Sequence, residues 1–322
     1  MVKHMSRVLI SAVMWAVASL VSAQDFPTRP IRLVAPFSAG GGADSVARLV
    51  AEKLSDSLGK QVVVDNRPGA SNIIGTDIVA KAPADGYTLL LAINNHAINA
   101  GLFARLPYDP EKDFEPVTLI GLNPFMLVVH PSLPVKTVQD LISYARAKPG
   151  ALNYASAGNG TAAHFAAELF KLKAKVNMTH VPYKGVSQAV IDLVAGSVHV
   201  MIPSPGSAIA QVKAGRLKLL AVTTSQRTRA MPDVPTLDES GVPGYEFSNW
   251  WGLLAPRRTP APIVSRLQKD VAQLLQAKDV QARLGGENGE AVGSTPAYFR
   301  DYLRAEFEKY SRLVKEIGLK PD

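Results

Sequence analysis

Two short glycine-containing stretches carry the residue types and spacing best suited to chemistry. The first is Phe37-Ser38-Ala39-Gly40-Gly41-Gly42-Ala43-Asp44. It follows the apolar run Ile31 to Ala35, and from Ala43 onward Val46, Leu49, Val50 and Leu54 recur at helical spacing. A glycine-rich loop between a strand and a helix gathers backbone N–H groups at a helix N-terminus, where the macrodipole favours negative charge. The chemistry on offer is anion binding. A tight strand-to-helix turn accounts for the same glycines without any ligand. The second stretch, Ser156-Ala157-Gly158-Asn159-Gly160-Thr161, repeats the device between the run Leu152 to Ser156 and a helix carrying Phe165, Leu169 and Leu172. Two such termini facing across a cleft would grip one anion from both sides. His164 lies one turn into the second helix, placed to point into that cleft or to serve as a structural histidine. Asn94-Asn95-His96-Ala97 stand at the carboxyl end of a third apolar run, Tyr87 to Ile93, the address where open parallel sheets hold ligands. An ordinary polar loop is the alternative there.

Other chemistries find no footing. Gly40-Gly41-Gly42-Ala43-Asp44-Ser45 does not fit G-x-G-x-x-G, and no lysine with Ser or Thr follows the glycines as a P-loop requires. There is no G-x-S-x-G elbow and no H-E-x-x-H pair among the six histidines. The absence of cysteine excludes disulfides, thiolate metal sites, a Cys nucleophile and a lipid anchor on cysteine. No metal site and no cofactor is expected. The formal net charge of +8 is scattered, without basic runs or interleaved aromatics, which makes nucleic acid a poor partner. With 47% hydrophobic and 19% charged residues the 322-residue chain has an ordinary globular composition, long enough for two domains. A small-molecule binder fits better than an enzyme.

The elements that must position these loops read as follows. Lys3, His4 and Arg7, the apolar run Val8 to Val21, and Val21-Ser22-Ala23 form a signal peptide, with cleavage expected after Ala23; a retained anchor is the alternative. The mature chain is then exported, to the bacterial periplasm. Ile31 to Ala35, Gln61 to Asp65 and Tyr87 to Ile93 give strands in a βαβαβ order, with a helix from Ser71 to Ala82. Their apolar composition implies a mostly parallel sheet flanked by helices. A second βα series runs from about Thr137 to Val222. Phe247 to Ala255 is extended, and two long helices close the chain. These last helices pack back on the first unit. The expected organisation is therefore a discontinuous domain 1 (residues 25–123 plus 247–322), a domain 2 (residues 124–246) and a cleft between them that closes by hinge motion.

Several motifs together resemble one family: FPTRPIRLVAPFSAGGGAD, VVVDNRPGASNIIGTDIVAKAPADGYTLL, LPYDPEKDFEPVTLI, KPGALNYASAGNGTAAHFAAELF, HVPYKG, VPGYEFSNWWGLLAP and the closing VGSTPAYFRDYLRAEFEKYSRLVKEIGLKPD. The chain is similar to the substrate-binding proteins of tripartite tricarboxylate transporters, the Bug (TctC-like) family, over essentially its whole length from Phe26. The resemblance implies a two-lobed α/β periplasmic binding protein fold of type II. It implies a monomeric receptor that clasps a small organic carboxylate or dicarboxylate and passes it to membrane transporter subunits, or reports it to a sensor protein. The first pincer would be Phe37 to Asp44 and the second Ser156 to Thr161, with His164 behind it. Asn94, His96 and Ala97, then Tyr183, then Pro203 and Ser204 would line the remainder, with Trp250 near the hinge and the cleft. Ala39 stands where the family commonly has proline, and Ser71-Asn72 replaces a more glycine-rich turn. Pro203-Ser204-Pro205 stands where members often carry an Asp suited to a ligand ammonium group. Its absence argues against an amino acid and for a non-amino carboxylate, aliphatic or aromatic.

Overall fold

Ile31–Ala35 forms strand β1, with every residue but Arg32 buried. In this computed structural model, residues 26–40, 42–286 and 289–319 are described. The expected signal peptide with its cleavage point, and Gly41, lie outside the described residues.

After β1 comes helix α1 (Gly42–Leu58), whose Val46, Leu49, Val50 and Leu54 are buried at the expected spacing. Strand β2 (Val62–Asn66) pairs parallel with β1, Ile31 opposite Val62. Helix α2 (Ile73–Ala80) leads to strand β3 (Thr88–Ala92), parallel to β1 on its other side. Helix α3 (Asn95–Leu102) starts within the stretch read as a polar loop, and strand β4 (Phe114–Pro124) follows. A second sheet opens at once with β5 (Met126–Val129). It continues through α4 (Val138–Ala147), β6 (Asn153–Ser156), α5 (Ala162–Ala174), β7 (Thr179–Pro182), α6 (Val186–Val194), β8 (Val200–Met201), α7 (Pro205–Lys213) and β9 (Lys218–Val222). A capping box of Thr137 and Asp140 opens α4. The chain returns to the first sheet as β10 (Ser248–Pro256). It ends with α8 (Ala261–Leu274), α9 (Lys278–Gly286), the short β11 (Glu290–Ala291) and α10 (Pro296–Ile317).

The strand orders are β11-β4-β10-β3-β1-β2 and β7-β6-β8-β5-β9. This is the two-lobed α/β architecture that the residues and the resemblance lead one to expect, with one refinement. The sheets are mixed, not mostly parallel. β10 runs antiparallel to both β3 and β4, and β5 runs antiparallel to both β8 and β9. The strand that enters each sheet at a crossing, β10 in the first and β5 in the second, runs opposite to the βα units, whereas β4 and β9, which leave, run with them.

The chain passes between the sheets at Phe125 and again between Val222 and Ser248. Thr223, fully buried, ties the two passages. Its Oγ1 accepts the Phe125 N–H at 2.7 Å, its N–H donates to the Phe125 carbonyl at 3.1 Å, and its carbonyl accepts the Phe247 N–H at 2.9 Å. Phe125 and Phe247 meet edge to face at 5.5 Å. Tyr310 of α10 touches both Phe247 (5.8 Å) and Phe165 of α5 (5.6 Å), so the closing helix packs against both sheet units. Burying each such aromatic ring contributes roughly 2–3 kcal/mol, which makes this crossing part of the continuous core.

Candidate functional site

The first loop is held from behind by a buried carboxylate. Asp44 in the first turn of α1 is 3% exposed. Its Oδ2 accepts the Gly40 N–H at 2.9 Å and Arg48 Nε at 2.8 Å, and its Oδ1 accepts Asn66 Nδ2 at 2.9 Å. Asn66, the last residue of β2, also donates to the Phe37 carbonyl at 3.2 Å. One acid and one amide thus fasten both ends of the loop. Burial works to raise the Asp44 pKa, but the hydrogen bonds from Gly40, Arg48 and Asn66 outweigh it and hold the carboxyl below its ordinary value. Ser38, Ala39, Gly40 and Gly42 remain exposed, Phe37 and Ala43 half-buried. Gly40 has φ +89°, a backbone that other residues rarely adopt. Asp44 is consumed as a buckle, which leaves the exposed backbone of the loop as the face open to a ligand.

Beside this loop stands a feature that the sequence did not disclose. Gly69, Ala70, Ser71 and Asn72 are four consecutive residues with positive φ (127°, 45°, 52° and 75°). The helix read from Ser71 therefore starts only at Ile73. The Ser71 carbonyl accepts Asn99 Nδ2 at 2.7 Å, and Asn99 is 1% exposed. Left-handed backbone at non-glycine residues costs about 1–2 kcal/mol each, so this turn persists because its surroundings impose it. Pro68-Gly69 was the visible signal for a turn, but not for its handedness.

The second loop is also fastened from within. Ser156, fully buried, reaches the Gly158 N–H (3.2 Å) and the Gly158 carbonyl (3.1 Å) through Oγ. Thr161 caps α5 by accepting the His164 N–H at 3.4 Å and donates to the Gly158 carbonyl at 2.8 Å. The Gly160 N–H donates to His164 Nδ1 at 3.2 Å. Gly158 (φ +131°) approaches the Tyr183 carbonyl closely, since an added Cβ would sit 3.2 Å from that oxygen. Ala157 is half-buried and Asn159 exposed. Across from this loop, an added Cβ on Gly160 (φ +70°) would lie 3.3 Å from Leu102 Cδ2, at the end of α3 on the first sheet. The two units meet there. Tyr183 leans away, donating its hydroxyl to Asp192 at 2.8 Å; burial and that carboxylate push its pKa up to about 12. Pro203 is buried with its carbonyl accepting the Met126 N–H at 2.9 Å, and Ser204 heads α7 with its Oγ 3.1 Å from Ser207 Oγ.

Four of the expected lining residues turn their side chains inward. Asn94 is 1% exposed and donates through Nδ2 to the Ser248 carbonyl and to Tyr310 Oη, both at 2.8 Å, while its Oδ1 accepts the Trp250 N–H at 3.1 Å. Trp250, fully buried, donates its indole N–H to Glu306 Oε2 at 3.0 Å. Burial raises the Glu306 pKa against the contrary effect of its partner Lys309. His96 is 3% exposed, with Nε2 2.9 Å from the Pro110 carbonyl and an edge-to-face contact with Phe114. Desolvation pushes its pKa down to about 4. Ala97 is fully buried. Asn94 and Trp250 brace the crossing of β10 and α10, and His96 and Ala97 belong to the core.

With this geometry in hand, the chain can be placed. The model of the tripartite tricarboxylate transporter family receptor, TctC, matches residues 46–319, and the chain belongs to that family. It is 37% identical over 306 residues to Protein BugT of Bordetella pertussis, covering 94% of each chain. Among solved structures, Rpa4515 of R. palustris with adipate aligns at a TM-score of 0.79 and 40% identity, covering 92% of this chain and all of that one. MatC of Rhodopseudomonas palustris with bound malate aligns at 0.75 and 33%, covering 90% of this chain and all of that one. Among the described residues, no helix is long and apolar enough to cross a membrane, and no group of three or more His, Asp or Glu could hold a metal ion.

Proposed function

We propose that this protein is a periplasmic solute-binding receptor, exported with its signal peptide removed after Ala23. It captures a small organic carboxylate between two lobes, residues 25–123 with 247–322 and residues 124–246. Ser38 to Gly40 with Gly42 and Ala43 form one jaw and Ala157 to Thr161 the other, each at the start of a helix, where backbone N–H groups not already spent on Asp44, Ser156 or His164 meet the anion. The monomer hands its ligand to membrane transporter subunits. The observation that carries the reading is the pair of glycine loops. Each is fastened from behind by a buried side chain, Asp44 or Ser156, which engages the Gly40 or Gly158 N–H and leaves the rest of the loop backbone as the chemistry for a ligand. The receptor family and the adipate and malate held by relatives in structure support a carboxylate over any other anion. Pro203-Ser204-Pro205 offers no acidic partner for a ligand ammonium, which favours a non-amino acid.

A thermal-shift screen of organic acids, headed by adipate and malate, tests this directly. A ligand of the folded protein raises the melting temperature by mass action. Calorimetry should then show one reversible site, and the acid should be recovered unchanged. Chemical conversion of the acid would overturn the reading, as would a full panel of carboxylates that leaves the melting temperature unmoved.

A further inference from the structure

The second loop rests on two histidines, of which the sequence singles out only His164. This residue is 5% exposed and accepts the Gly160 N–H at Nδ1. Its ring stacks on that of His180 from β7, with centroids 4.0 Å apart and planes 8° apart. His180 Nε2 lies 2.7 Å from Ser156 Oγ, the atom that also accepts the Gly158 N–H. Tyr154 of β6 also stacks on His180, its ring 4.8 Å away, and lies 6.4 Å from the His164 ring. Glu168 of α5 accepts the Tyr154 hydroxyl and Lys171 Nζ, and its Oε1 lies 4.0 Å from His164 Nε2. The two imidazoles are thus the link between this polar cluster and the loop backbone.

A ring nitrogen that accepts an N–H must be unprotonated. The geometry therefore assigns the proton of neutral His164 to Nε2, on the side of Glu168. Protonating Nδ1 would aim a second donor at the Gly160 N–H and remove the bond. His180 tolerates a proton, because Ser156 Oγ can accept from it and still donate to the Gly158 carbonyl. Two imidazolium rings 4.0 Å apart would repel, so a proton on either ring disfavours one on the other.

We propose that His164 and His180 are positioning residues that fix the second loop, His164 through the Gly160 amide and His180 through the Ser156 hydroxyl. For its functional meaning this rests on the receptor reading above. The groups that face the stack are Tyr154 from β6 and Glu168 and Lys171 from α5. Desolvation lowers the pKa of both rings, that of His180 to about 4; Glu168 opposes the shift, while Lys171 adds to it in both rings and His164 adds to it in His180. The pair is neutral at neutral pH and the loop is fixed. Acid releases it.

The test uses the whole chain labelled with ¹⁵N. Imidazole nitrogens and the Gly160 amide are followed without ligand from neutral pH down to about 4, and adipate affinity is measured over the same range. The expected result is a neutral His164 carrying its proton on Nε2, a Gly160 amide that shifts as the rings titrate, and an adipate affinity that falls with it. His164→Phe should weaken adipate binding about three- to tenfold at neutral pH. His164→Asn, which returns an acceptor near Nδ1, should recover part of that loss and flatten the pH profile. A His164 ring that titrates near its ordinary value while the Gly160 amide stays still overturns the proposal, even if adipate binds. If His164→Phe does not fold, the ligand-free titration of the parent decides. Failure of every carboxylate to bind, with the amide still following the rings, refutes the receptor reading and leaves the positioning role standing.

Discussion

Replacing Asp44 by alanine separates two roles for that carboxylate, because its hydrogen bonds can be weighed one by one. The Arg48 pair is half-exposed (its side chain 55%), and such pairs contribute under about 1 kcal/mol. The bonds from the Gly40 N–H and Asn66 Nδ2 are charge-assisted and lie at a side chain only 4% exposed, so about 1.5 kcal/mol each is a fair weight. Asp44→Ala should therefore loosen the first loop by about 3 kcal/mol. In the proposed receptor, if that ordering has to be supplied on binding instead, affinity for adipate as the probe falls roughly a hundredfold, at 1.4 kcal/mol per tenfold. Calorimetry with adipate reads the loss. A double-mutant cycle with Asn66→Ala should show strong coupling, since both residues fasten the same loop. The Asp44 pKa lies below its ordinary value of 3.8. Its contribution is full above that value and disappears as pH falls through the folded-state pKa, so parent and variant should converge in stability in strong acid. Equal affinities for parent and Asp44→Ala, or full additivity in the cycle, would refute the buckle.

Gly160→Val places a branched side chain at φ +70° and against Leu102, so adipate binding should weaken at least about tenfold with the circular dichroism spectrum unchanged; parent-like binding would remove the loop from the site. Acid should destabilise the protein through His96, whose pKa is depressed to about 4. That contribution is intact above the unfolded value near 6.5 and lost as pH falls towards 4, amounting to about 3 kcal/mol. Urea midpoints against pH should be flatter in His96→Gln, and identical slopes would contradict the assignment. Ser71→Gly should raise the melting temperature by about 2 °C by relieving a left-handed serine, whereas a lower value would mean that the Ser71 side chain matters more than its backbone. Thr223→Val strips the buried Phe125 N–H of its Oγ1 partner and should cost about 1–3 kcal/mol in urea unfolding; a neutral result would show that the crossing does not depend on it.

Most of the fold was legible because it is written in local pattern. Apolar runs marked β1, β2 and β3, and the spacing of Val46, Leu49, Val50 and Leu54 marked α1 with its buried face. The two glycine loops were found by the same reading, since strand, small residues and helix are contiguous in the chain. The reading failed where a partner is distant. Asn94 looks like a site residue at the end of a strand, but its acceptors and donor lie 154 to 216 positions away, at Ser248, Trp250 and Tyr310. A polar side chain at that address has no local mark of which way it points. Thr223 and His180 were passed over for the same reason, their roles being set by Phe125 and by Ser156. The left-handed run at Ala70 to Asn72 was hidden differently. Ala70 and Ser71 rarely adopt a conformation that glycine usually supplies, and the hints were indirect: Asn72, which tolerates it, and the more glycine-rich turn that Ser71-Asn72 replaces.

The Thr223 tie has a mechanical consequence. Two backbones joined side by side behave as a ribbon, pliant across its flat face and stiff along its edge. Lobes joined by two separate strings could slide and twist past one another. In the receptor proposed above, lobes joined by a ribbon would swing like a door on a single axis. The glycine loops would then meet along one arc whatever lies between them. In that proposed receptor, the length of a bound acid would set how far the door shuts, and not which way it faces.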